Sequence, residues 1–249
     1  MVPESGTICA EIGGGGAATV GAVMSSSSPA ADSVFDSPPP AFDAATLAQI
    51  AERCFGLSGV ATALDSERDQ NARLATADGT FVLKVAHRAE SPAALELQSA
   101  ALAHLANVDP SLPVPRVVAP LTPGAHGLAE HDGHLVRAVS HLPGTPYADV
   151  SHTPALRRSL GETMGRLSHA LQGFGHAAAH QPDFLWNLDN AAAVRPWVAD
   201  IVDPTDRAVV ESAFTRWEQR VAPLLPTLRA AVVHHDANDR NVLVEDDRV

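Results

Sequence analysis

HHDANDRNVLV, residues 234–244, is the stretch that decides how this chain folds. It follows a short apolar run, Ala230 to Val233, and fits the spacing H-x-D-x-x-x-x-N with strand-like residues on both sides. Phosphoryl transfer needs a carboxylate within reach of an acceptor hydroxyl and, a few residues on, an amide oxygen able to hold Mg²⁺. Asp236 and Asn241 offer both on one tight loop. His234 is expected to pack and hydrogen-bond so as to hold that loop, and His235 is assigned no role. A purely local turn would account for the same Asp and Asn without any chemistry, so a second clue is needed.

That clue is an absence. Of 17 basic side chains, Lys84 is the only lysine. It sits in FVLKVA, residues 81–86, an alternating strand pattern, where a compact ammonium can pair at once with a phosphate and a carboxylate and a guanidinium fork does not fit. A strand lysine of this kind holds the α- and β-phosphates of a nucleotide.

The 249 residues, 45% apolar, suffice for one large or two small domains. A formal charge of −12 argues against nonspecific binding to nucleic acid or anionic membrane, so any phosphate must be gripped locally. Cys9 and Cys54 form neither a disulfide framework nor a zinc knuckle, which fits a reducing, cytoplasmic setting. No apolar run approaches membrane-spanning length, and the start lacks a signal-peptide pattern.

Residues 1–41, with GGGG at 13–16, SSSS at 25–28 and PPP at 38–40, form a low-complexity lead predicted to be disordered. Asp43 caps a helix to Phe55 with the stripe Leu47, Ile50, Ala51 and Cys54, ended by Gly56. Strands are predicted at 60–64, 72–76 and 81–86, as a small antiparallel sheet. Ser91 and Pro92 open a helix to about Ala106, followed by strands at 127–130 and 134–140. HLPGTP, residues 141–146, breaks the pattern and marks a lobe boundary, because the periodicity after it is helical. Helices follow from Thr153 to Gly173 and from Thr205 to Val221, with the segment FLWNL, 184–188, between them. The expected division is thus 1–41, an N-lobe at 42–141 that binds nucleotide, and a helical C-lobe at 142–249.

In this order, LDSERDQN (64–71), FVLKVA, LELQSAALAHL (95–105), VPRVV (114–118), an arginine before the LPG hinge, and HHDANDRNVLV resemble the aminoglycoside phosphotransferase and choline kinase-like family. The hydroxylysine kinase subgroup is the nearest match. The resemblance runs from about residue 43 to 249 and implies an α+β, bilobal protein-kinase-like fold with its C-lobe truncated after the catalytic loop. It implies transfer of the γ-phosphoryl of ATP or GTP, with Mg²⁺, to the hydroxyl of an amino alcohol or hydroxy-amino acid. An inactive nucleotide-binding scaffold module stays open beside it. In the subgroup this domain also occurs ahead of a pyridoxal-phosphate aminotransferase domain, which makes a fused aminotransferase an implied partner.

The resemblance implies Asp236 as the base, Asn241 as the metal ligand, and Lys84 on the phosphates. Glu96, in the helix after the strand, would hold Lys84, although an ordinary solvated helix carboxylate explains it too. Ser66, Arg68 and Asn71 lie on the hairpin turn that would cover the phosphates. His176 and His180 are four apart, as helical metal ligands would be, but a solvated loop fits them better. The chain departs from the family at Ala72, where an aromatic is common, and at His235, where Gly is usual. Truncation leads us to expect exposed apolar helix faces.

Overall fold

The computed structural model describes residues 39–66, 68–180 and 187–249; residues 1–38 of the low-complexity lead and most of FLWNL lie outside them. The sequence-predicted elements form with small shifts at their ends. Helix α1 (Ala44–Phe55) is capped by Asp43, whose carboxylate accepts from Thr46 N at 2.7 Å, a cap worth about 1 kcal/mol. Gly56 ends it at φ 70°, a left-handed conformation open to glycine. Helix α2 (Pro92–Val108) begins on Ser91 with Pro92 in its first turn, because proline lacks only an N–H that the first turn leaves unbonded.

The strands are β1 (Gly59–Leu64), β2 (Gln70–Thr76), β3 (Gly79–Val85), β4 (Val117–Val118), β5 (Ala129–His131) and β6 (His134–Ser140). They form one antiparallel sheet in the order β1-β2-β3-β6-β4, with β5 also on β6. Alternation along a strand sends successive side chains to opposite faces. One face, with Ala72, Leu74, Leu83, Val85, Val136 and Ala138, packs on Leu47, Ile50, Ala51 and Phe55 of α1. The other carries Val82 and Val139 onto Ala101, Leu102 and Leu105 of α2. Ala72 therefore belongs to the α1 core, and an aromatic in its place would enter that core rather than roof a nucleotide.

Helix α3 (Pro154–Ala170) starts on the Thr153 cap and sends Leu167, Ala170 and the following Leu171 into the same core as α2. His104 of α2 lies 2.9 Å from the carbonyl of Ala170. Two short strands, β7 (Thr145–Pro146) and β8 (Leu243–Val244), pair antiparallel. Gly144 makes this possible: at φ 132° it has a Val244 oxygen 3.0 Å from where a Cβ would stand. Tyr147, Leu156, Val242 and Val244 form a separate small core beneath that pair.

The chain divides into two compact units, one running through residue 179 and resuming over 232–249, the other spanning 180–231. This cut falls elsewhere than the lobe boundary expected at 141–147: α3 shares a core with α2 and the sheet, and the 232–249 segment packs on α3 and Tyr147. The second unit holds a 3₁₀ run (Leu188–Asp200) and helix α4 (Pro204–Arg220), joined by Arg195 to Glu218 at 2.6 Å. No residue of α4 is buried, and Val209 is 61% exposed. Among the described residues no helix is long and apolar enough to cross a membrane.

Candidate active site

The approach to the loop is not a strand: residues 230–233 are irregular, and the loop is anchored from its far side. Tyr147 N donates to Val242 O at 2.8 Å, Ala148 N to Asp239 O at 2.9 Å, and Arg240 pairs with Asp149 at 3.0 Å. The loop thus hangs on the segment just after the hinge. Asn238 organises it from within. Its Oδ1 accepts from Arg240 N at 2.8 Å and Asn241 N at 3.0 Å, while its Nδ2 donates to Asp236 Oδ1 at 2.8 Å. Asn238 was given no role from the spacing alone, although an Asn followed by Asp is a turn signal with a physical cause.

Asn241 Nδ2 donates to Asp236 Oδ2 at 2.7 Å and to the Asp236 carbonyl at 3.0 Å. Its amide nitrogen is thereby committed to Asp236, which leaves Oδ1 as the atom that could hold a metal. An amide oxygen of this kind suits Mg²⁺, which is usually bound by one or two protein groups together with substrate phosphates. Among the described residues no group of three or more His, Cys, Asp or Glu forms a self-sufficient metal centre.

His234 is buried, and burial holds its imidazole below its ordinary pKa, hence neutral. It packs as expected, and its carbonyl accepts from Asp236 N at 2.9 Å, but its Nδ1 has no hydrogen-bond partner. That ring borders a cavity of about 360 Å³ whose other walls include Pro113, Leu142, Met164 and Asn241. His235 stands at φ 69°, which gives a backbone reason for glycine at this position.

Apart from Glu96, the other expected site residues lie on the sheet and its first turn. Register places Lys84 of β3 between Asn71 of β2 and Arg137 of β6, and all three are buried. This is a polar row across an otherwise apolar face. Asn71 Nδ2 donates to Ser66 Oγ at 3.1 Å, tying the turn back to the row. Arg68 pairs with Glu90 at 3.5 Å.

Glu96 requires a correction. Its carboxylate lies 2.6 Å from His126 Nδ1 and 3.9 Å from His176 Nε2, half-exposed, and does not hold Lys84. The α2 side chain that reaches the row is Gln98, which accepts from Arg137 at 2.6 Å. Two helical positions are about 200° apart around the axis, so Glu96 and Gln98 face opposite ways. His176 thus lies beside Glu96, and the segment after it is a short 3₁₀ turn, Ala177–Ala179, rather than an α-helix.

The phosphotransferase enzyme family model matches residues 60–249. Hydroxylysine kinase of Mus musculus is 27% identical over 224 residues, covering 83% of this chain and 60% of that protein. Hydroxylysine kinase of Danio rerio is 29% identical over 211 residues, covering 80% and 59%. The chain therefore spans about 60% of the length of these relatives. Among solved structures, the AMP-bound complex of spectinomycin phosphotransferase matches with a TM-score of 0.54 at 11% identity, covering 83% of this chain and 67% of that one. Aminoglycoside phosphotransferase APH(4)-Ia matches with a TM-score of 0.53 at 18% identity, covering 82% and 69%. These two likenesses establish the kinase-like α+β fold.

Proposed function

This chain belongs to the phosphotransferase enzyme family, and from that premise we propose that it carries the machinery to move the γ-phosphoryl of ATP or GTP onto the hydroxyl of a small amino alcohol or hydroxy-amino acid. The observation that supports this most is the direct bond between Asn241 Nδ2 and Asp236 Oδ2. It joins the two groups that phosphoryl transfer requires and fixes their orientation before substrate arrives. The hydroxylysine kinase relatives support the acceptor class.

In this reading Lys84 holds the α- and β-phosphates, with Ser66, Asn71 and Arg68 on the covering turn. Asn241 holds Mg²⁺ through its amide oxygen; the ion would draw charge off the transferring group. Asp236 accepts the proton of the acceptor hydroxyl as that oxygen bonds to the γ-phosphorus and the bond to the nucleoside diphosphate breaks. The water-excluded polar row gives each contact more weight than it would have in solution.

The test is transfer of labelled γ-phosphate from MgATP or MgGTP to 5-hydroxylysine, run beside the melting temperature with and without Mg-nucleotide. Stabilisation with transfer supports the reading; stabilisation without transfer supports a nucleotide-binding scaffold. Absence of both removes it.

A further inference from the structure

Glu90 is a nearly buried carboxylate, its side chain 10% exposed, in the connection between β3 and α2. It faces Arg68 and Asp69 on the β1–β2 turn, Arg137 on β6 and the backbone of Ser91 at the start of α2. Two ties join turn to connection: Arg68 to Glu90 at 3.5 Å, and His87 N donating to Asp69 Oδ1 at 2.9 Å. The connection is itself rigid, since Glu90 N donates to His87 O at 2.9 Å and Ala89 N to His87 Nδ1 at 3.1 Å. One side of the clasp is therefore fixed, and the other is the turn that the proposed function puts over the phosphates.

We propose that Glu90 is a positioning residue for that turn: through Arg68 it holds the turn against the β3–α2 connection, so that nucleotide affinity follows the charge on this one carboxylate. The inference rests on the kinase reading above. A turn already held in place loses less conformational entropy when nucleotide binds. Desolvation pushes the Glu90 carboxyl up to about 7, against the opposing pull of Arg68 and Arg137, so the clasp gains its charge near neutral pH.

The experiment measures MgATP affinity of the whole chain, through ligand-induced melting shifts, at pH 5.5 and 8.5 for the wild type, Glu90→Gln, Arg68→Met and the double variant. At pH 8.5 each single variant should bind about fivefold more weakly and the double variant no more weakly than either. At pH 5.5 the wild type and Glu90→Gln should coincide. Equal affinities at pH 8.5, or tighter binding by Glu90→Gln, would overturn the proposal, the latter by showing that Glu90 keeps Arg68 from the nucleotide. Hydrogen exchange at the His87 amide gives a readout without nucleotide. Faster exchange in Glu90→Gln at pH 8.5 is expected, and unchanged exchange counts against the clasp. Should MgATP stabilise no variant at either pH, the kinase reading fails, while the exchange result still decides the clasp.

Discussion

Asn241 and Asp236 are bonded twice, amide nitrogen to carboxylate at 2.7 Å and to carbonyl at 3.0 Å. The loop from Asp236 to Asn241 is thereby closed on itself, with Asn238 bonding across its interior. The amide nitrogen of Asn241 is thus a structural donor, while its oxygen is the atom the proposed function gives to Mg²⁺.

This dual use predicts a specific phenotype for Asn241→Ala. The Mg²⁺ concentration needed for half-maximal phosphoryl transfer should rise about 10- to 100-fold. Asn241→Asp should recover much of the metal dependence, because it restores an oxygen ligand. A metal titration indistinguishable from wild type in Asn241→Ala would remove the residue from the metal site.

His235 at φ 69° predicts a backbone-specific response. His235→Val should lower stability by about 1–2 kcal/mol, since a β-branched residue is strained in the left-handed region. His235→Gly should be tolerated. Chemical denaturation of the two variants checks this, and equal stabilities would contradict the backbone argument.

Glu90 and His234 give opposite pH terms. The folded carboxyl of Glu90, at about 7, lies above its ordinary 4.5, so the folded chain keeps a proton that the unfolded chain has released. Its contribution is whole below 4.5 and is lost as pH rises through 7, at a cost of about 3 kcal/mol. His234 is held below its ordinary value, so its contribution is lost as pH falls below about 6.5. Comparison of wild type with Glu90→Gln isolates the first: the variant should gain stability relative to wild type between pH 5 and 8. Parallel stability curves would contradict it. The variant should therefore be globally more stable at pH 8.5 while its turn is looser, a combination that a purely structural role for Glu90 does not produce.

Much of this was legible in the sequence, for physical reasons. Asp43, Ser91 and Thr153 are caps whose signals are local, and the alternation in FVLKVA fixes which face Lys84 shares with Val82. The loop spacing placed Asp236 and Asn241 together. What stayed hidden depends on helix phase and distant contacts. Glu96 looked like the partner of Lys84 because its charge was right, but the phase of α2 is set by the burial of Ala94, Ala101 and Leu105, which turns Gln98 inward instead. Glu90 could not be singled out, because its burial arises only when the turn, β6 and the start of α2 close around it. The packing of α3 onto α2 was not legible, and the compact units cut the chain elsewhere than at 141–147.

The role proposed for Asp236 is to take the acceptor proton. The most direct measurement is the rate of MgATP-dependent phosphorylation of 5-hydroxylysine by Asp236→Ala beside the melting shift that MgATP induces in the same variant. The account predicts a rate lower by about 10²- to 10⁴-fold with the nucleotide-induced shift retained. An undiminished rate in Asp236→Ala would contradict it.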